Sequence, residues 1–122
     1  VGRKEAAIKE LHTLKNRIAW QITPDGKQPL ELERTKSLSY SVFNIEAYIT
    51  AFKPADSLGI NLWDYQTTDG RSLQNAIEYV VPFIKEPSKW PYSQIVPFSK
   101  KDSERALNLC DYFFTKIQDK NY

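Results

Sequence analysis

Apolar residues recur at steps of three and four along most of this sequence, and a chain patterned that way buries them by coiling into helices. From residue 3 to about 22, Ala7, Ile8, Leu11, Leu14, Ile18 and Ile22 form one stripe with lysines and glutamates between them. Pro24 and the Asp25-Gly26 pair should end that helix, since proline cannot continue the ladder and Asp-Gly favours a tight turn; Pro29 suits the entrance to the next. There Leu38, Val42, Ile45, Ile49 and Phe52 alternate steps of four and three, and Pro54 is expected to close the helix by disfavouring the helical conformation of Lys53. Leu73, Ile77, Val80 and Ile84 give a third stripe, which Pro82 should kink or shorten. Asp102 or Ser103 is the expected cap of a fourth helix carrying Ala106, Leu109, Cys110, Phe113 and Ile117, and the closing QDKNY should fray. The proline-spaced EPSKWPYSQIVPF between them reads as a loop. Nothing alternates with a period of two for long enough to make a strand, so the class is all-α with about four main helices.

With 122 residues, 41% of them hydrophobic, the chain suffices for one core and is too short for two, so residues 1–122 are expected to form a single all-helical domain. Its formal charge of +2 arises from 17 basic and 15 acidic side chains mixed along the whole length. No basic block marks a nucleic-acid binder. No apolar run approaches the roughly 18 to 20 residues of a membrane span, and no leader with a cleavage site opens the sequence. A start at valine and a lack of methionine suggest a piece of a longer protein, whose leader would not be visible here. Cys110 is the single cysteine; in its apolar setting it is expected to be a packed thiol, with no internal disulfide and no cysteine-based metal site. His12, the single histidine, is expected to be a partly exposed helical residue.

TPDG at 23–26 and TTDG at 67–70 each precede a helical pattern, as a helix-hairpin repeat would arrange. The first is followed by LELERTKSLSY. Glu31 and Glu33 suit the positive end of a helix dipole, and Glu31 can pair with Arg34 at the i, i+3 spacing. That accounts for the acids but leaves Tyr40 among Lys36, Ser37, Ser39, Ser41 and Asn44 unexplained. On a helix Lys36, Tyr40 and Asn44 fall at successive i, i+4 positions, so a cation, a phenol and an amide line up where an oxyanion can bind. Arg34 lies about 120° around an ideal helix from Tyr40 and joins that row only by reaching from a less regular first turn. A functional pair and a salt bridge beside a half-buried tyrosine both fit the spacing. Trp20 and Trp63 read as packing anchors, whereas Trp90 with Tyr92 on a proline-rich loop reads either as packing or as a sugar platform.

The stretch DGKQPLELERTKSLSYSVFNIEA, followed by NLWDY and DGRSLQNAIEYVVPF, resembles the C-terminal part of the alginate lyase family. The likeness runs from about residue 17 to 85. It implies an (α/α) toroid built of helical hairpins, of which this chain is the C-terminal portion, and a polysaccharide lyase that cleaves uronate polymers such as alginate by β-elimination. By the same resemblance Arg34 and Tyr40 are catalytic and no metal or cofactor is needed; Lys36 and Asn44, from their place in the row, and Gln28, from its place beside the turn, are expected to bind substrate. Neutralising the uronate carboxylate makes the C5 proton removable, an electrostatic effect of the oxyanion-hole kind; an arginine supplies a directional charge-assisted contact and a lysine a less directional one. A phenol can then take that proton or give one to the leaving oxygen. The family's Asn-Asn-His stretch is missing from this sequence, and Ser39 stands where many relatives carry histidine. The chain alone is therefore expected to be inactive, with the remainder of its own catalytic domain and an anionic polysaccharide as partners, no nucleic acid or membrane, and a periplasmic or secreted location. A non-catalytic carbohydrate-binding relative and a helical-repeat interaction module are the competing readings.

Overall fold

The computed structural model describes residues 2–119, and the last three residues of the expected frayed tail lie outside them. The chain is helical: α1 (Gly2–Gln21), α2 (Pro29–Leu32), α3 (Ser37–Ser57), α4 (Leu73–Lys85), a single 3₁₀ turn at Pro87–Lys89, and α5 (Lys100–Asp119). Helix α3 is the hub and packs against α1, α2, α4 and α5. Its whole stripe, Leu38, Val42, Ile45, Ile49 and Phe52, is buried, as are Leu73, Ile77, Val80 and Ile84 of α4 and Ala106, Cys110 and Phe113 of α5. On α1 only the C-terminal half of the stripe is covered: Leu14 and Ile18 are buried, Ile8 is exposed, and Ile22 is buried just beyond the helix.

Trp63 anchors the far end of this core. Its ring lies edge-on to Phe52 and Phe113, with centroids 5.4 and 5.9 Å away, and its Nε1 donates to Asp56 Oδ1 at 2.8 Å. The polar handle is thus satisfied while the ring is 3% exposed, as a buried indole requires. Cys110 packs in the same core, where burial pushes its thiol up to about 11, with Asp111 adding to the effect.

Two helix ends differ from expectation. The helix thought to close at Lys53 runs through Pro54 to Ser57. Pro54 and Thr50, whose carbonyl it leaves without a helical donor, are both exposed, so water can serve the freed group. The true stop is Gly59 at a φ of 73°. Gly59 N donates to Asp56 O and Ile60 N to Ala55 O, the paired bonds of a Schellman motif. Helix α4 carries its whole expected stripe, running unshortened through Pro82 to Lys85, and Ser72 caps its start by accepting from Asn75 N at 3.0 Å. Helix α5 begins at Lys100 instead of after Asp102, because Ser99 is the cap: Ser99 Oγ accepts from Asp102 N, and Asp102 Oδ2 accepts from Ser99 N. Asp102 is thus the second half of a capping box.

A third difference shapes the site. Residues 33–36 do not join α2 to α3 as one helix. Lys36 instead pairs with Gln94 in an isolated antiparallel bridge, Ser37 N donates to Ser93 O, and Ile95 N donates to Thr35 O. Gln94 then turns its side chain onto the start of α3, where Oε1 accepts from Leu38 N at 3.0 Å and Ser39 N at 3.3 Å. The loop after residue 90 therefore supplies the cap that α3 lacks locally.

The two Thr-x-Asp-Gly turns are bonded alike. In the first, Thr23 N donates to Lys27 O, Gly26 N to Thr23 O, and Lys27 N to Thr23 Oγ1; in the second, Thr67 N donates to Arg71 O, Gly70 N to Thr67 O, and Arg71 N to Thr67 Oγ1. The turns dock on each other. Asn75 Nδ2 donates to both Pro24 O and Gly70 O, and Arg71 Nη1 donates to Ile22 O.

Candidate functional site

The break at 33–36 frees Arg34 from helical geometry, which resolves the angular problem posed by its sequence spacing. Arg34 folds back over the first turn of α3 and lays its guanidinium on the Tyr40 ring, with Cζ 3.6 Å from the centroid. A contact this close is a stacked cation–π pair. The same guanidinium lies 3.7 Å from Glu31 at the i, i+3 spacing, and its side chain remains 51% exposed. Stacking occupies the flat face of the group, so the in-plane N–H donors not turned to Glu31 stay available to an approaching oxyanion.

Arg34 and Tyr40 share an open groove of about 850 Å³ with Glu31, Phe43, Asn44 and Thr50. A second groove, of about 330 Å³, opens on the other side of Tyr40 and Phe43 and is lined by Lys36, Ser39, Val96, Phe98, Asp102 and Arg105. Tyr40 thus stands on the ridge between two hollows. Lys36 faces the second and Asn44 the first, so the straight row of Lys36, Tyr40 and Asn44 expected from i, i+4 spacing is split. Lys36 is the residue before α3, outside its helical turns. Arg105 of the second groove donates from Nη2 to Oε2 of Glu46, which lines the first, at 2.7 Å.

Gln28 lies beneath the site. It is 3% exposed, donates from Nε2 to Ser41 O at 3.1 Å, and accepts from Asn44 Nδ2 at 2.8 Å. Its amide holds other protein groups and does not reach the groove. Asn44 Nδ2 also faces Gln21 Oε1 at 3.5 Å, and the Tyr48 hydroxyl donates to that same oxygen. Burial pushes the Tyr48 hydroxyl well above the ordinary phenol range, with Arg17 opposing and Glu31 adding. Tyr48 is consequently a fixed donor at neutral pH. The Ser41 hydroxyl is buried and has no hydrogen-bond partner among the described residues.

Of the two roles open to Trp90, the structure takes packing. Trp90 is 8% exposed; Tyr79, Phe83 and Tyr92 surround its ring edge-on, and its Nε1 donates to Ser37 Oγ. A ring enclosed in this way offers no sugar platform, and Trp90 serves to seat the 86–95 loop on α3. Trp20, read as a core or interface anchor, is 59% exposed on α1 and so lies outside this core. The exposed ring at the site is Phe43, at 64%, which sequence reasoning passed over. Its signal was present: Phe43 follows Val42 and precedes Ile45, off the buried stripe, so an aromatic there has to face solvent. His12 is exposed on α1, away from these residues.

None of the described helices is long and apolar enough to cross a membrane. The family model for alginate lyase matches residues 1–90. Among solved structures, the chain is similar to the crystal structure of an alginate lyase from Bacteroides ovatus, with a TM-score of 0.70 and 39% sequence identity over 78% of this chain and 26% of that one. The chain thus spans about a quarter of the length of that enzyme. No curated protein matches it. A family match over most of the chain and the likeness to a solved alginate lyase together lead to one conclusion: the chain belongs to the alginate lyase family.

Proposed function

We propose that this chain forms one wall of the catalytic cleft of a polysaccharide lyase that cleaves uronate polymers such as alginate by β-elimination. The supporting observation is the Arg34 guanidinium stacked on the Tyr40 ring beside an open groove, with its side chain half exposed. In this reading Arg34 engages the uronate carboxylate and stabilises the negative charge that grows at C5. Tyr40 exchanges a proton with the sugar, either taking the C5 hydrogen or giving one to the glycosidic oxygen. The electron pair of the C5–H bond becomes the C4=C5 double bond as the C4–O bond breaks, and the departing oxygen ends as a hydroxyl. Lys36, across the Tyr40 ridge, adds a second cation for the neighbouring sugar acid along the polymer. Phe43, on that ridge, offers an apolar face on which a pyranose ring can pack.

The rest of the site belongs to the remainder of a larger (α/α) toroid in a periplasmic or secreted enzyme, of which this chain is the C-terminal portion. Exposed Ile8 and Trp20 on α1 are surfaces on which further helices of such a toroid would pack.

The test is turnover of alginate by the full-length protein, followed through the ultraviolet absorbance of the new double bond. Tyr40→Phe is expected to lower kcat by about 100- to 10,000-fold, the range for loss of a proton-transfer group. Arg34→Lys should retain more activity than Arg34→Ala, because a point charge replaces part of the planar contact. Unchanged turnover in Tyr40→Phe would remove Tyr40 from the mechanism.

A further inference from the structure

From the hydrogen bonds beneath the groove we infer that Asn44 presents its carbonyl oxygen, and not its NH₂ group, to the substrate, and so selects a sugar hydroxyl. The directions of side-chain amides follow from their partners, and here the series starts from a group that has only one role. Ser41 contributes a backbone carbonyl, which can only accept. Gln28 must therefore turn Nε2 toward it, at 3.1 Å, which leaves Gln28 Oε1 facing Asn44. An acceptor in that position draws in the Asn44 Nδ2, at 2.8 Å. The other neighbour agrees: Gln21 Oε1 already accepts from the Tyr48 hydroxyl and lies 3.5 Å from the same Asn44 nitrogen.

With Nδ2 directed toward two buried-side acceptors, Oδ1 is the amide atom left for the Arg34 groove, which Asn44 lines. An oxygen in that place repels a carboxylate and accepts from a hydroxyl. The groove thus carries a division of labour, with Arg34 for the sugar's acid group and Asn44 for one of its ring hydroxyls. Gln28 is the positioning residue, since it fixes the amide direction without touching sugar. The sugar as ligand rests on the lyase reading, whereas the direction of the amide does not.

The test uses the full-length protein and uronate trisaccharides with all hydroxyls or with the 2- or 3-hydroxyl replaced by hydrogen, with binding measured by calorimetry. One of the two deoxy sugars is expected to bind wild type roughly tenfold more weakly than the parent, as loss of one good hydrogen bond implies. Asn44→Ala should bind parent and deoxy sugars alike. Gln28→Met should narrow the same gap, whereas a purely structural defect would weaken all three sugars in parallel. Equal binding of the three sugars by wild type, or a gap that survives Asn44→Ala, overturns the inference. Discrimination without cleavage of any polymer keeps it and removes the lyase reading, and no binding of any trisaccharide removes both. In the unliganded protein the Asn44 side-chain amide protons should exchange slowly by NMR and faster in Gln28→Met; fast exchange in wild type overturns the amide direction whatever the sugars do.

Discussion

Asp25 and Asp69 each accept a hydrogen bond from the threonine two residues earlier, and small local bonds of this kind give the chain a dependence on acid. The Thr23 hydroxyl holds the Asp25 carboxyl below the usual carboxylate range. The Thr67 hydroxyl, followed by Arg71, does the same for Asp69. A carboxyl whose folded pKa is depressed contributes stability that is fully present above its unfolded value, about 3.9, and is lost as pH falls through the folded value. The paired substitution Asp25→Asn and Asp69→Asn is therefore expected to flatten the acid limb of stability, measured by urea unfolding at neutral pH and near pH 3. An unchanged acid limb would show that these turns do not contribute to it. Both carboxylates are exposed, so the effect is small. At this scale the sequence was legible where chemistry is local. Glu31 pairs with Arg34 at the spacing that suggested it, and Cys110 is a packed thiol. Gln28 was not legible: nothing in DGKQP distinguishes an amide that faces a groove from one that is 3% exposed under Asn44.

Single elements show how similar local sequences meet different surroundings. Gly26 and Gly70 occupy equivalent turn positions with φ of 91° and 85°, a region that side chains with a Cβ enter at a cost. A Cβ on Gly70 would meet open space, but one on Gly26 would lie 2.1 Å from the Asn75 carbonyl oxygen. Gly70→Ala is expected to lose about 1–2 kcal/mol, and Gly26→Ala more than about 3 kcal/mol, because overlap with a backbone adds to the strain. Chemical denaturation of the two variants measures the difference, and equal losses would mean that the turns do not dock as described. Helix termini follow the same rule. The Ser99–Asp102 capping box and the Gly59 stop are local motifs that a reading centred on Asp102 and Pro54 missed, although both are visible in the sequence. The start of α3 is different in kind, for its cap is the Gln94 side chain, and no local pattern announces that.

For the whole molecule, the family match ends at residue 90 but the core does not. Ala106, Cys110 and Phe113 of α5 are buried with the residues of α3 and α4, and the loop at 93–95 holds residues 35–39 in place. A chain stopped after residue 90 is expected to lose more helical circular dichroism than α5 accounts for and to unfold without a cooperative transition. A sharp transition in that truncated chain would refute the dependence. The sequence by itself determined the all-helical class, the stripes of α3 and α4 that form the core, and the family resemblance. These rest on a 3.6-residue period and on short motifs, which are properties of neighbouring residues. Only the tertiary structure decided the break at 33–36, the stacking of Arg34 on Tyr40, the inward turn of Gln28 and the two grooves. The break follows from the hydrogen bonding of residues 35–39 to residues 93–95 and the turn of Gln28 from its bonds to Ser41 and Asn44, and bonds between separate segments leave no periodic trace in either one.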